Sequence, residues 1–267
     1  MKTTLRATAI PLLAAALMLT AANHPISPPP APRKGHLSTP SEAVVIDTFT
    51  YPKTEPSETF APEGWKRLSF PRIRKHTRYG IEGDGGDTCL AAVSSGSASA
   101  LYRELDMDLK EYPVLAWRWR VDRVLHGGDA RTKRGDDYPA RVYVTFAYDA
   151  DRAPLTDRLA RRLASAVYGA EPPGTAVNYI WANRLPKGRS LPNPYNDRAA
   201  MFAVESGAAL AGGWMAETRN VYEDYRAFFG VEPPRVTGIA VMTDTDNTGE
   251  EATACYDDIV FKGPAAP

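Results

Sequence analysis

Hydrophobic residues recur at every second position through much of this chain. In residues 114–121, Leu115, Trp117, Trp119 and Val121 share one side while Arg118 and Arg120 take the other, the period of a strand with one covered face. Residues 141–148 alternate in the same way, Val142, Val144, Phe146 and Tyr148 against Arg141, Tyr143, Thr145 and Ala147. Shorter β-branched or aromatic runs lie at 44–49, 89–93, 177–182, 201–204, 237–243 and 254–261, divided by turn clusters such as Gly83-Asp84-Gly85-Gly86-Asp87. The pattern predicts an all-β fold, a two-sheet sandwich or jelly roll. One or two helices interrupt it. Leu155, Leu159, Leu163 and Val167 form an apolar stripe between Pro154 and Gly169, and a short helix is expected over 221–229, stopped by Gly230 ahead of Pro233-Pro234.

The ends of the chain follow other rules. Lys2 and Arg6 precede an apolar run, residues 7–22, that closes on Thr20-Ala21-Ala22. That layout predicts a signal peptide over residues 1–22, cleaved near Ala22, and hence a periplasmic or extracellular protein. The run is broken by Pro11 and falls short of the ~20 residues a membrane span needs, so no span is expected after cleavage. Residues 23–41 hold six of the 23 prolines and read as an extended linker. The sandwich domain is expected over 42–263, with a disordered tail at 264–267.

Charge narrows the partners. With 32 basic and 32 acidic residues, the chain lacks the cationic excess that a general nucleic-acid binder needs. Enzyme motifs are equally scarce. His76 and His126 are the only histidines of the domain, and no Gly-x-Ser-x-Gly, His-Glu-x-x-His or phosphate-binding loop occurs. Paired carboxylates exist at Asp136/Asp137, Asp244/Asp246 and Asp257/Asp258. Neighbours on a strand face opposite ways, which leaves Asp244 and Asp246 as the pair that can converge. In Asp244-Thr245-Asp246-Asn247-Thr248-Gly249, Asp244, Asp246 and Thr248 place oxygens at alternate positions before a glycine, an arrangement that wraps a hard cation such as Ca²⁺. The alternative is a hairpin whose Asp and Asn side chains cap turn amides. Cys255 stands where an EF-hand would place its bidentate Glu.

Ligand-binding candidates come from cations and rings. Arg118, Arg120 and Arg141 with Tyr143 suit a carboxylated or sulfated sugar chain, because guanidinium groups grip such anions through paired hydrogen bonds. The competing expectation is that these arginines pair with Asp136, Asp137, Glu205 or Glu217. Trp117 and Trp119 read as core; Trp65, Trp181 and Trp214 near loop ends read as surface. The loop 185–198, with Pro186, Gly188, Pro192 and Pro194, either offers Lys187, Arg189, Asn193 and Tyr195 as one wall of a groove or is a passive strap. Cys89 and Cys255 allow a single internal disulfide, which export permits, or else two small buried hydrophobes.

The strings Ala116-Trp117-Arg118-Trp119, Gly135-Asp136-Asp137-Tyr138-Pro139-Ala140-Arg141-Val142-Tyr143, Asn178-Tyr179-Ile180-Trp181-Ala182, Arg219-Asn220-Val221 with Asp224-Tyr225, and 243–249 occur in that order. Together they resemble a family of exported bacterial proteins classed as a domain of unknown function, number three-zero-four-seven. The resemblance covers about residues 44–262 and implies an exported domain; it supplies no activity or catalytic residues to carry over. More loosely, an opening Asp-x-Phe strand and a closing Tyr-Asp-Asp-Ile strand resemble galactose-binding-like carbohydrate-binding jelly rolls. That likeness implies a structural Ca²⁺ tying the first strand to the last, here Asp47 with Asp257 or Asp258.

The reading that unites these observations is an exported, non-catalytic β-sandwich that binds a glycan or other cell-envelope component, with Ca²⁺ as the one cofactor the sequence suggests. The alternative is a polysaccharide lyase or hydrolase acting on an acidic glycan, with Arg118, Arg141, Tyr143 and His126 as its polar groups.

Overall fold

The computed structural model describes residues 43–84, 87–148 and 174–264. The expected signal peptide, linker, last three residues and the amphipathic helix near 154–169 lie outside the described residues.

Among the described residues, fourteen strands form two seven-stranded sheets packed face to face as a jelly-roll sandwich. The first sheet runs β12 (Met215–Asn220), β7 (Val114–Val121), β14 (Glu251–Lys262), β5 (Asp87–Ser95), β4 (Arg78–Asp84), β2 (Thr54–Ser57), with β1 (Val44–Asp47) also paired to β14. The second runs β10 (Ser190–Asn193), β11 (Asn196–Ser206), β9 (Thr175–Ala182), β8 (Arg141–Phe146), β13 (Val236–Met242), β6 (Ala100–Met107), β3 (Lys66–Leu68). Pairing is antiparallel except between β11 and β9. The expected all-β sandwich is therefore the observed fold.

Alternation builds the core. Leu115, Trp117, Trp119 and Val121 of β7 meet Val142, Val144 and Phe146 of β8 and Val177, Tyr179 and Trp181 of β9 across the gap between sheets. Trp117 and Tyr179 sit 5.2 Å apart between ring centroids, and Trp119 and Trp181 5.9 Å, so aromatic pairs bolt one sheet to the other. Trp65 and Trp181, expected at the surface, are buried. Trp181 follows Val177 and Tyr179 in period two, which sends it inward, and Trp65 donates its indole N–H to Asp47 at 2.8 Å.

Helix α1 (Val221–Phe229) forms where expected. Asn220 caps it by accepting from the Glu223 N–H at 3.0 Å, Glu223 and Asp224 complement the positive end, and Gly230 closes it at φ +71°. It packs on the inner end of β9: Tyr225 lies 4.6 Å from Phe146 between ring centroids, and the Tyr179 hydroxyl donates to Asp224 at 2.8 Å. Cys89 on β5 and Cys255 on β14 form a disulfide with Cα atoms 5.7 Å apart, joining adjacent strands on the outer face of the first sheet. No helix among the described residues is long and apolar enough to cross a membrane.

Candidate functional site

The outer face of the second sheet is covered by the chain itself. On β8, Arg141 and Tyr143 face that side, and residues 130–139 and 185–191 fold over it with Ala130, Tyr138, Leu185 and Leu191 packed on Ile180 and Met201. Arg141 is left 1% exposed. Its Nε donates to Asp244 Oδ1 at 2.8 Å, a second guanidinium nitrogen to Asp244 Oδ2, and the same nitrogen reaches the Asp136 carbonyl at 3.3 Å. The Asp136 carboxylate lies 3.6 Å away, and the rings of Tyr138 and Tyr143 flank the guanidinium with centroids at 4.6 and 5.7 Å. A forked donor on a carboxylate with rings on its faces is the setting in which a buried arginine stays charged. Burial opposes that charge, but Asp244, Tyr143 and Asp136 outweigh it and hold the Arg141 pKa well above its usual value.

Asp137 and the residues after β13 complete an acidic nest. One carboxylate oxygen each from Asp137, Asp244 and Asp246 lies within 4.8 Å of the others. Asp137 accepts from the Asn247 amide at 3.1 Å and from the Thr248 N–H at 2.7 Å. The loop can curl round it because Gly249 takes φ +72°, a region that side chains disfavour. Burial pushes the Asp244 carboxyl well above its ordinary range against the pull of Arg141. Burial, then Asp137, lifts Asp246 to about 6. Asp136 is raised by burial as well, with Arg141 acting against it.

Beside this nest opens a cleft of roughly 800 Å³. One wall is the hairpin of β10 and β11, from Arg189 to Asp197; Ala130 and Arg131 form the other, and Leu185 the floor. The hairpin is tied to the nest twice. Asn193 donates to the Asp136 carboxylate at 3.1 and 3.2 Å, and the Tyr195 hydroxyl donates to the Lys133 carbonyl at 2.6 Å and lies 3.3 Å from Asn247 Oδ1. Of the four residues expected as a groove wall, Arg189, Asn193 and Tyr195 line this cleft, while Lys187 lies outside its lining and pairs with Glu205.

Residues 63–260 match the family described as Protein of unknown function (DUF3047). This chain belongs to that family. No curated protein matches the chain. Among solved structures, it is similar to a family 11 carbohydrate-binding module of the cellulase Lic26A-Cel5E of Clostridium thermocellum, at 9% identity over 85% of this chain and 97% of that one, with a TM-score of 0.41. It is also similar to the xyloglucanase domain of NopAA, a type three effector from Sinorhizobium fredii (8% identity, 76% and 96% covered, TM-score 0.40). A third is a family 28 module specific for non-crystalline cellulose (14%, 83% and 95%, 0.37). The likeness is one of strand arrangement.

In the DUF3047 domain the residues expected to form one binding face are distributed over three places. Arg141, Tyr143 and Trp181 are buried, so no solute reaches them. Arg118 and Arg120 stand half-buried on the outer face of the first sheet and are paired with acids. Arg118 donates to Asp257 at 2.5 and 3.0 Å and pairs with Asp258 at 2.9 Å, and Arg120 reaches Glu82 at 3.4 Å. Trp214, 36% exposed, lies against both guanidinium groups with its ring centroid 4.8 and 5.4 Å away. Of the residues expected to bind ligand, Asn193 and Tyr195 line the cleft, together with Arg189 of the expected groove wall. Of the polar groups named for a lyase, Arg118 belongs to one sheet and Arg141 and Tyr143 to the other, so these three do not meet.

The two metal arrangements also change. Asp47 accepts from the Phe49 N–H, the Tyr51 hydroxyl and the Trp65 indole at 2.8, 3.1 and 2.8 Å, while Asp257 and Asp258 serve Arg118, so protein donors occupy both ends of the expected strand-to-strand tie. Neither of the two acids turns inward, because a bulge at Asp258 (φ +50°) adds a residue and lets Asp257 face out before Ile259 turns in. In the 244–249 loop Thr248 gives its N–H to Asp137 and its hydroxyl to the Thr245 carbonyl at 3.5 Å. The oxygen that lies near those of Asp244 and Asp246 comes from Asp137.

Two of the acids expected to pair with the arginines, Glu205 and Glu217, form instead a buried pair of their own. Glu205 on β11 and Glu217 on β12 meet inside the open edge of the sandwich, where Lys187 pairs with Glu205 and the Trp119 indole donates to Glu217 at 3.2 Å. Burial, then the Glu205 charge, lifts Glu217 from an ordinary 4.5 to about 7. A carboxyl raised in the folded state keeps its proton longer there than in the unfolded chain, so this group's contribution to stability is full below about 4.5 and is lost as pH rises through about 7. Glu217→Gln is expected to raise the melting temperature at pH 8 and leave it nearly unchanged at pH 4.5. Thermal unfolding of both proteins at the two pH values measures this, and a variant less stable at pH 8 than the natural protein contradicts it.

Proposed function

We propose that this DUF3047 protein is an exported, non-catalytic binding domain for an acidic glycan of the cell envelope, and that the ligand lies in the cleft between the β10–β11 hairpin and residues 130–131. The observation that carries the proposal is the lining. Arg131 and Arg189 supply exposed cations, Asn193, Asn196 and Ser190 supply hydrogen-bonding groups, and Tyr195 supplies a ring for the apolar side of a sugar. Concave sites that combine ring surface with a few fixed polar groups are where small polar ligands dock, and guanidinium groups add preference for carboxylate or sulfate. Hydrolysis of a glycosidic bond uses two carboxyl groups ~5–10 Å apart, whereas the lining contributes one, Asp197.

The test is a screen of the purified protein on neutral and acidic envelope polysaccharides, followed by calorimetry on the best ligand. Binding is expected to favour acidic chains and to weaken as salt rises. Tyr195→Ala and Arg189→Ala are each expected to weaken it roughly tenfold, ~1.4 kcal/mol, while Trp214→Ala on the opposite sheet leaves it unchanged. Failure to hold any acidic glycan, or full affinity in both cleft variants, overturns the proposal.

A further inference from the structure

We propose that Asp137, Asp244 and Asp246 form a binding site for a divalent cation of the calcium class at the foot of the cleft. A single ion fits among them. Calcium holds oxygen ligands at ~2.3–2.6 Å, so two of its ligands can stand up to about 5 Å apart, and the three carboxylate oxygens lie within 4.8 Å of one another.

Charge points to the same ligand. Asp136, Asp137, Asp244 and Asp246 share the nest, and Arg141 is the one cation in contact with it among the described residues. Its guanidinium is committed to Asp244 and Asp136. Asp137 receives only uncharged donors, from Asn247 and Thr248. Asp136, Asp137 and Asp244 are all buried. Uncompensated carboxylates in such a place are costly, and a divalent ion offsets two of them at once.

Two buried polar atoms supply an observation independent of the acid count. Tyr138 is fully buried with its ring under the Arg141 guanidinium, and its hydroxyl, turned toward the Asp136 carboxylate, makes no hydrogen bond of good geometry. Asp246 Oδ1 is likewise shut off from solvent with no donor. A buried oxygen left without a donor is destabilising; a cation beside Asp246, carrying a water toward Tyr138, satisfies both. The nest also joins parts distant in sequence, residues 136–141 to residues 244–248, and through Asn193 and Tyr195 the cleft wall. An ion here locks those parts together, whatever the cleft binds.

The experiment strips the purified protein with a chelator and titrates it with calcium chloride by calorimetry, then follows thermal unfolding. One site per chain is expected, with a melting temperature roughly 5 °C or more higher at a hundredfold excess of calcium over Kd. Asp246→Asn keeps the shape and removes one charge; it is expected to weaken calcium binding at least tenfold. Asp197→Asn, an exposed acid of the cleft, is expected to bind calcium normally. A stripped protein that takes up no calcium and melts at the same temperature with and without it overturns the proposal. So does an Asp246→Asn variant that binds calcium as tightly as the natural protein.

Discussion

Replacing Arg141 by alanine, with chelator present so that the guanidinium alone is in question, is expected to remove about 3–5 kcal/mol of stability. The arginine is buried, forked onto Asp244, bonded to the Asp136 carbonyl and held between two tyrosine rings. Alanine leaves two buried carboxylates facing a void, so the loss combines uncompensated charge with a cavity. Guanidinium denaturation monitored by tryptophan fluorescence reads it as a fall in midpoint at unchanged slope. Arg118→Ala is the comparison. Its guanidinium is one-third exposed, partly solvated, and its loss is expected to cost about 1 kcal/mol. If the two substitutions cost the same, the sealed nest does not have the energetic weight its geometry implies.

Breaking the Cys89–Cys255 bond is the second large effect. The bridge closes a loop of 166 residues. In the chain-entropy account, a loop that long restricts the unfolded chain by about 5 kcal/mol. Native contacts on β5 and β14 remain after reduction, since the strands are held by ladder pairing on both sides of the cysteines. Folded protein is therefore expected to survive reduction with a denaturation midpoint lowered by an amount equivalent to about 2–5 kcal/mol. Oxidised and reduced samples unfolding at one midpoint would remove the disulfide from the account of stability.

Several elements could be read from residues alone because one local rule decided each of them. The alternation in β7 and β8 left a single choice of inner face, and Asn220, Glu223, Asp224 and Gly230 marked both ends of α1. β6 was missed because Ala100-Leu101-Tyr102-Arg103-Glu104-Leu105 mixes good helix formers with charges, and pairing to β13 and β3 overrides that preference. β12 was missed for a similar reason: Glu217 and Arg219 obscure a strand that exists through its ladder with β7. Trp181 was misplaced because it stands near the end of a run that looked like a loop margin, whereas β11 continues the sheet beside it and the rings of β7 cover it.

The candidate site shows the same division. Asp244, Asp246, Asn193 and Tyr195 were visible in the sequence as oxygen-rich or loop-borne residues. Nothing local marked Asp137 as the third carboxylate, since more than a hundred residues separate it from Asp246 and only the curl of the 244–249 loop onto the 136–141 turn brings them together. Arg141 looked identical in kind to Arg118 and Arg120. Both faces of a strand alternate in the same way, and which one meets water depends on what else folds across it.

By itself, then, the order of residues determined the all-β class, the inward rings of β7 and β8 and the capped helix, because side-chain period and capping act within a few positions of the chain. The tertiary structure decided which arginines are sealed, which acids share a nest and where a cleft opens, because burial and charge pairing depend on segments that meet only after both sheets have closed.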